Sequence, residues 1–129
     1  MWVVVVLAGA LFLLSGCATT ETVKQAQGEG TKRIYDYSYK DVYSATLTAA
    51  KKQELNVVEV DQDKGQILLS HGVTLWSWGE RIAVFFTKVS DTATELEIVS
   101  KPVLAPLNFP PDWANRLFIG IDQELRGVK

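Results

Sequence analysis

Two rhythms of apolar and polar positions run through this chain, and they divide it into elements. Residues 33–39, RIYDYSY, alternate: Tyr35, Tyr37 and Tyr39 fall on one side, Ile34, Asp36 and Ser38 on the other. That period of two predicts a strand. Over 40–55 the period lengthens, so that Val42, Tyr43, Thr46, Ala49, Ala50 and Gln53 share one side of a helix. Asp41 near its start and Lys51 and Lys52 near its end suit the helix dipole. Ala49 and Ala50 let such a helix approach a sheet closely.

Short strands follow. NVVEV (56–60) and QILLSH (66–71) flank the turn DQDKG (61–65), where Gly65 can supply a positive φ. GVTLWSWG (72–79) reads as a loop or an extended hairpin end. ERIAVFFTKV (80–89) sets Ile82, Val84 and Phe86 against Ala83, Phe85 and Thr87; ATELEIVS (93–100) sets Leu96 and Ile98 inward and Glu95 and Glu97 outward. The four prolines all lie in 101–112, which reads as a strand-free connection whose Pro110-Pro111 pair suits a helix start. From 112 to 127 a helical period returns, with Trp113, Leu117, Ile121 and Leu125 four apart and Phe118 beside them.

The order is therefore β-α-β-β-β-β-α. Short links between the last four strands favour an antiparallel meander, and helices on one face of such a sheet make an α+β domain. The expected core is Val42, Ala49, Ile67, Leu69, Ile82, Val84, Phe86, Leu96, Ile98, Trp113, Leu117 and Ile121. The sheet's other face, carrying Phe85 and Val99, is left to accept a protein partner or the chain's own N-terminal segment.

Upstream, residues 2–14 run apolar without a charge. As a helix this run spans roughly 20 Å, whereas a bilayer crossing takes about 20 residues. Small residues and the single cysteine follow it, as in a secretory signal. Leu14-Ser15-Gly16-Cys17 resembles the lipobox of bacterial lipoprotein precursors: an aliphatic residue, two small ones, then a cysteine whose thiolate attacks a lipid donor. The segment departs from such signals in having no Lys or Arg before Lys24. The resemblance implies diacylglyceryl attachment to Cys17, cleavage after Gly16 and acylation of the new amino terminus. Under the enteric sorting rule, Ala18 implies the outer membrane, with the domain facing the periplasm. The organisation expected is then a signal peptide over 1–16, a lipidated cysteine and flexible tether over 17–32, and one domain over 33–129.

All 13 Lys and Arg and all 15 Asp and Glu lie beyond Cys17, for a net charge of −2. A nucleic-acid binder calls for a basic face, so no nucleic-acid partner is expected. With Cys17 acylated no thiol remains for a disulfide. His71 is the only histidine, too few for a zinc site, which draws on several Cys, His or carboxylate ligands; no G-x-S-x-G elbow accompanies it either. The expectation is a strand-end histidine facing solvent or a backbone carbonyl. Asp61 and Asp63 begin a calcium-loop pattern that stops after two ligands, so they read as turn formers. No catalytic residue, cofactor or metal is expected. One stretch, LWSWGER (75–81), groups Trp76, Trp78 and Arg81, residue types enriched at binding hot spots, and Trp also settles at membrane interfaces. These three are the candidate contact to a partner or membrane.

A second resemblance spans about residues 34–100. The stretch YSYKDVYSATLTAAKKQELNVVEVDQDKGQI is similar to small bacterial lipoproteins of unassigned function, and its order occurs in domains of the outer-membrane assembly lipoprotein BamC. Its matching positions, chiefly Val42, Ala45, Gly65 and Ile67, keep a fold and carry no reaction. The functional expectation is a non-enzymatic accessory or interaction domain of the cell envelope with an envelope protein partner. The alternative is a carrier that encloses an apolar ligand or lipid between sheet and C-terminal helix.

Overall fold

The structure is a computed structural model that describes residues 23–72, 79–102 and 112–128. Five strands and two helices follow in the order β1 (Thr31–Tyr35), α1 (Tyr39–Lys52), β2 (Asn56–Asp61), β3 (Gln66–His71), β4 (Glu80–Ser90), β5 (Ala93–Pro102), α2 (Trp113–Arg126). The strands form one antiparallel sheet, β1-β5-β4-β3-β2. Strands β2 to β5 make the expected meander. The first strand instead pairs with the last, and α1 carries the chain across one face from the β1 edge to the β2 edge.

The period of two shows which side chains share a face. Ile67 and Leu69 pair with Val84 and Ile82, and these pair in turn with Ile98 and Ser100. All the apolar members of that row are buried beneath the two helices together with Leu96 and Phe86. From the helices, Val42, Ala45, Ala49, Ala50, Trp113, Leu117, Phe118, Ile121 and Leu125 complete the layer, and every residue of the expected core is buried. The helices lie close because Gly120 faces Ala49: a β-carbon at Gly120 would stand 3.1 Å from that of Ala49.

Local chemistry sets the element ends. The tyrosine alternation does not continue as strand to residue 39. Ser38 instead accepts a hydrogen bond from the Asp41 amide at 3.2 Å and caps α1, so the strand stops at Tyr35. Tyr39 and Tyr43 then fall four apart on the helix, stack at 6.2 Å and lean on Phe86. The helix ends at Lys52 rather than 55, since Glu54 takes a left-handed conformation with φ 60°. Gly65 closes the β2–β3 turn at φ 67°, where a β-carbon would meet the Phe86 carbonyl at 2.7 Å. Asp61 accepts from the Lys64 amide at 3.0 Å, the turn role its sequence position implied. At the far end β5 runs through Lys101 and Pro102, so the proline-rich connection begins later than expected; residues 103–111 lie outside the described residues.

Tyr35 gives the first test. It is buried against Phe118, and its hydroxyl has no well-formed hydrogen bond among the described residues. Burial first, then the neighbouring Asp122 carboxylate, push its ionisation well above the ordinary tyrosine range; burial also raises that of Tyr39. A raised folded-state value means stability that is fully present below the unfolded-chain value of 10.0 and is lost as pH climbs toward the folded-state value. We therefore expect denaturation midpoints that fall above pH 10. Tyr35→Phe should be neutral or slightly stabilising at pH 7, because it removes a buried polar atom along with its unmet need, and should shrink the alkaline loss. A destabilisation above ~1 kcal/mol at pH 7 would reveal a strong bond to that hydroxyl.

Candidate interaction site

The sheet face away from the helices is where the chain departs most from expectation. Residues 17–32 read as a flexible tether, yet within them Val23–Gly30 lies on the sheet and Thr31 and Lys32 already belong to β1. Val23 and Ala26 are buried in a second apolar cluster with Leu68, Ala83, Phe85 and Val99. The segment winds through successive turns, Ala26 N–H donating to the Val23 carbonyl at 3.2 Å and Glu29 N–H to that of Ala26 at 2.9 Å. Residues 17–22, Cys17 among them, lie outside the described residues, as does the expected signal over 1–16.

A buried carboxylate fastens this strap. Glu97 was expected to face solvent, but only 4% of it is exposed. Its oxygens accept from the Gly28 amide at 2.8 and 3.0 Å and from the Gly30 amide at 2.9 Å. Glycine is needed at 30, since a β-carbon there would stand 2.4 Å from the Ile98 carbonyl oxygen. The strap's outer charges reach both ways: Lys24 pairs with Glu59 on β2 at 3.0 Å, and Glu29 stands 3.9 Å from Lys101 on β5. So the segment crosses the sheet from the β2 side to the β5 side, and the face left open in the sequence reading is covered by the chain itself.

A polar cluster occupies the helix-facing side of the sheet at one end. Glu80 opens β4 opposite His71, the last residue of β3. Its side chain is fully buried, its Oε2 lying 3.1 Å from His71 Nδ1 and accepting from Trp113 Nε1 at 3.2 Å. The imidazole rests on the indole with ring centroids 4.7 Å apart, and the Arg116 guanidinium covers the same indole at 5.2 Å. His71 thus meets a carboxylate and a ring rather than solvent or a backbone carbonyl. The arrangement ties the start of α2 to the β3–β4 end. A groove of about 330 Å³ runs past it, lined by Gln53, Trp113, Arg116 and Ile119. Among the described residues no three His, Cys, Asp or Glu stand together as a metal site would require.

The three residues singled out in LWSWGER are divided. Arg81 is half-buried on the strap side of β4, one residue from Glu80 and on the opposite face, with its Nη1 3.4 Å from the Glu80 carbonyl. Trp76 and Trp78 lie outside the described residues. Sequence reasoning passed over Glu80 and Glu97. Glu80 has the parity of Ile82, Val84 and Phe86, and Glu97 that of Val99; each sits where its strand alternates toward a covered face.

These features define a class: an α+β domain whose antiparallel sheet carries helices on one face and its own N-terminal strap on the other. The chain belongs to a family described as protein of unknown function (DUF3568), whose pattern matches residues 1–99. The matched stretch takes in Leu14–Cys17, the strap and both sheet faces, and stops short of α2. No curated protein matches the chain.

Proposed function

We propose that this chain is a lipid-anchored, non-catalytic accessory domain of the cell envelope, held to a membrane through acyl chains on Cys17 and engaging an envelope protein partner. The observation that carries this is Leu14-Ser15-Gly16-Cys17 at the end of an apolar run too short to cross a bilayer comfortably. The run falls inside the stretch matched by the family. Among the described residues no helix is long and apolar enough to span a membrane. More than one acyl chain is needed for stable attachment, which a diacylglyceryl cysteine with an acylated amino terminus supplies. Ala18 favours the outer membrane with the domain on the periplasmic side. The resemblance to BamC-type domains proposed from the sequence would fit an accessory role in the envelope.

The interior supports an interaction domain over a carrier. Phe118, Leu117, Ile121, Ile67, Ile82 and Leu96, each no more than 1% exposed, fill the layer between helices and sheet where a carrier would place its ligand. Mass analysis of the full-length product from a lipoprotein-processing host tests the anchor. The expected species begins at Cys17 and carries diacylglyceryl and N-acyl groups. A species with an unmodified Cys17 would overturn the proposal.

A further inference from the structure

The strap makes the distance between Cys17 and the folded body short. Six residue steps separate Cys17 from Val23, and even a fully extended chain covers only about 20 Å in that many. Only five residues, 18–22, lie between Cys17 and the strap in the chain. Where the strap begins therefore decides which surface the anchor holds near the bilayer. Its first residues sit toward β2: Lys24 is paired with Glu59 of β2 itself, and Val23 belongs to the apolar cluster that takes in Leu68 of the adjoining β3.

The same strand carries the densest exposed apolar surface among the described residues. Of the seven large hydrophobic side chains that are exposed, three fall within four positions of β2: Val57 at 40%, Val58 at 49% and Val60 at 43%. Val57 and Val60 pair with Leu69 and Ile67, and the strand bulges between Val57 and Glu59. This strand is one of the two edges of the sheet among the described residues. Exposed edges invite pairing and are commonly guarded by charge. Here the one carboxylate within the valine run, Glu59, is neutralised by Lys24 of the strap.

We infer that the β2 edge, through Val57, Val58 and Val60, rests on the lipid surface in which Cys17 is anchored. Apolar side chains of a peripheral protein settle in the headgroup–acyl boundary, where water and headgroups can still satisfy an unpaired strand edge. The strap thereby sets orientation as well as distance. It turns β2 toward the bilayer and presents the opposite sheet edge, β1, to the aqueous side. This inference rests on acylation of Cys17.

The test uses the full lipidated chain in phosphatidylcholine–phosphatidylglycerol vesicles that contain headgroup-nitroxide lipid. An acylated Cys17 leaves no free thiol, so Val58→Cys and, on α2, Ile119→Cys each accept a polarity-sensitive thiol fluorophore at one place. We expect emission from position 58 to shift to the blue and to be quenched several-fold more than emission from position 119. Equal quenching at the two positions would overturn the orientation. So would self-quenching at 58 that grows with surface density, which would make a second copy the occupant of the edge. If the unsubstituted chain itself takes the label, Cys17 is unmodified, and the anchor fails together with the inference.

Discussion

Replacing Glu80 by Ala should cost this domain ~2–4 kcal/mol, because it removes a fully buried carboxylate that meets both His71 Nδ1 and Trp113 Nε1. The loss follows from what stays behind. Trp113 Nε1 would keep no acceptor in its place, and His71, whose side chain is 21% exposed, would face an apolar gap. Leaving a buried donor unmet costs about 1–3 kcal/mol by itself. Glu80→Gln keeps an oxygen acceptor of the same size and should lose distinctly less. The two variants, compared by urea denaturation with far-ultraviolet circular dichroism, separate acceptor loss from charge loss. A cost below ~1 kcal/mol for Glu80→Ala would mean that the start of α2 is held by apolar packing alone.

The second large effect is local. Glu97→Ala removes the acceptor for three contacts from the Gly28 and Gly30 amides, and hydrogen bonds to a charged group contribute about 1.5–3 kcal/mol each in net terms. Contacts that share one side chain do not add independently, so the expected cost is ~2–4 kcal/mol against strap docking. Because the strap covers the sheet without belonging to it, this loss should appear as local opening before global unfolding. Limited trypsin digestion reads it: cleavage after Lys24 should accelerate strongly in Glu97→Ala while cleavage after Lys88, in the β4–β5 hairpin, changes little. Equal acceleration at both sites would show that the strap and the sheet open together.

Much of the fold was legible in the sequence because its elements bury one face each. The periods of Val42–Ala50, Ile82–Phe86 and Trp113–Leu125 state directly which side chains turn inward, and the meander follows from turns as short as Asp91-Thr92. What was not legible depends on contacts between distant residues. The strap contains a single large aliphatic residue, Val23, and nothing local to 23–30 suggests order. Its order comes from Glu97, 69 positions from Gly28 in the chain, and from a sheet face whose apolar residues are spread over three strands. Likewise His71 gains its partner only through the β3–β4 register and the later arrival of Trp113. Glu97 shares the parity of Val99, which the alternation sets on the outward face that the strap covers, and Glu80 shares the inward parity of Ile82, Val84 and Phe86. The β2 valines were read as ordinary strand residues, since an edge cannot be told from a centre without the strand order.

Residues 23–30 are part of the folded body, so whatever is attached at Cys17 is coupled closely to the domain. Amide hydrogen exchange at Gly28 and Gly30 in the intact chain tests this most directly. Both amides should be strongly protected, slower than an unstructured peptide by orders of magnitude, and the protection should vanish in Glu97→Ala. Exchange of both at the unstructured rate in the unaltered protein would contradict the strap, and with it the short coupling between anchor and sheet.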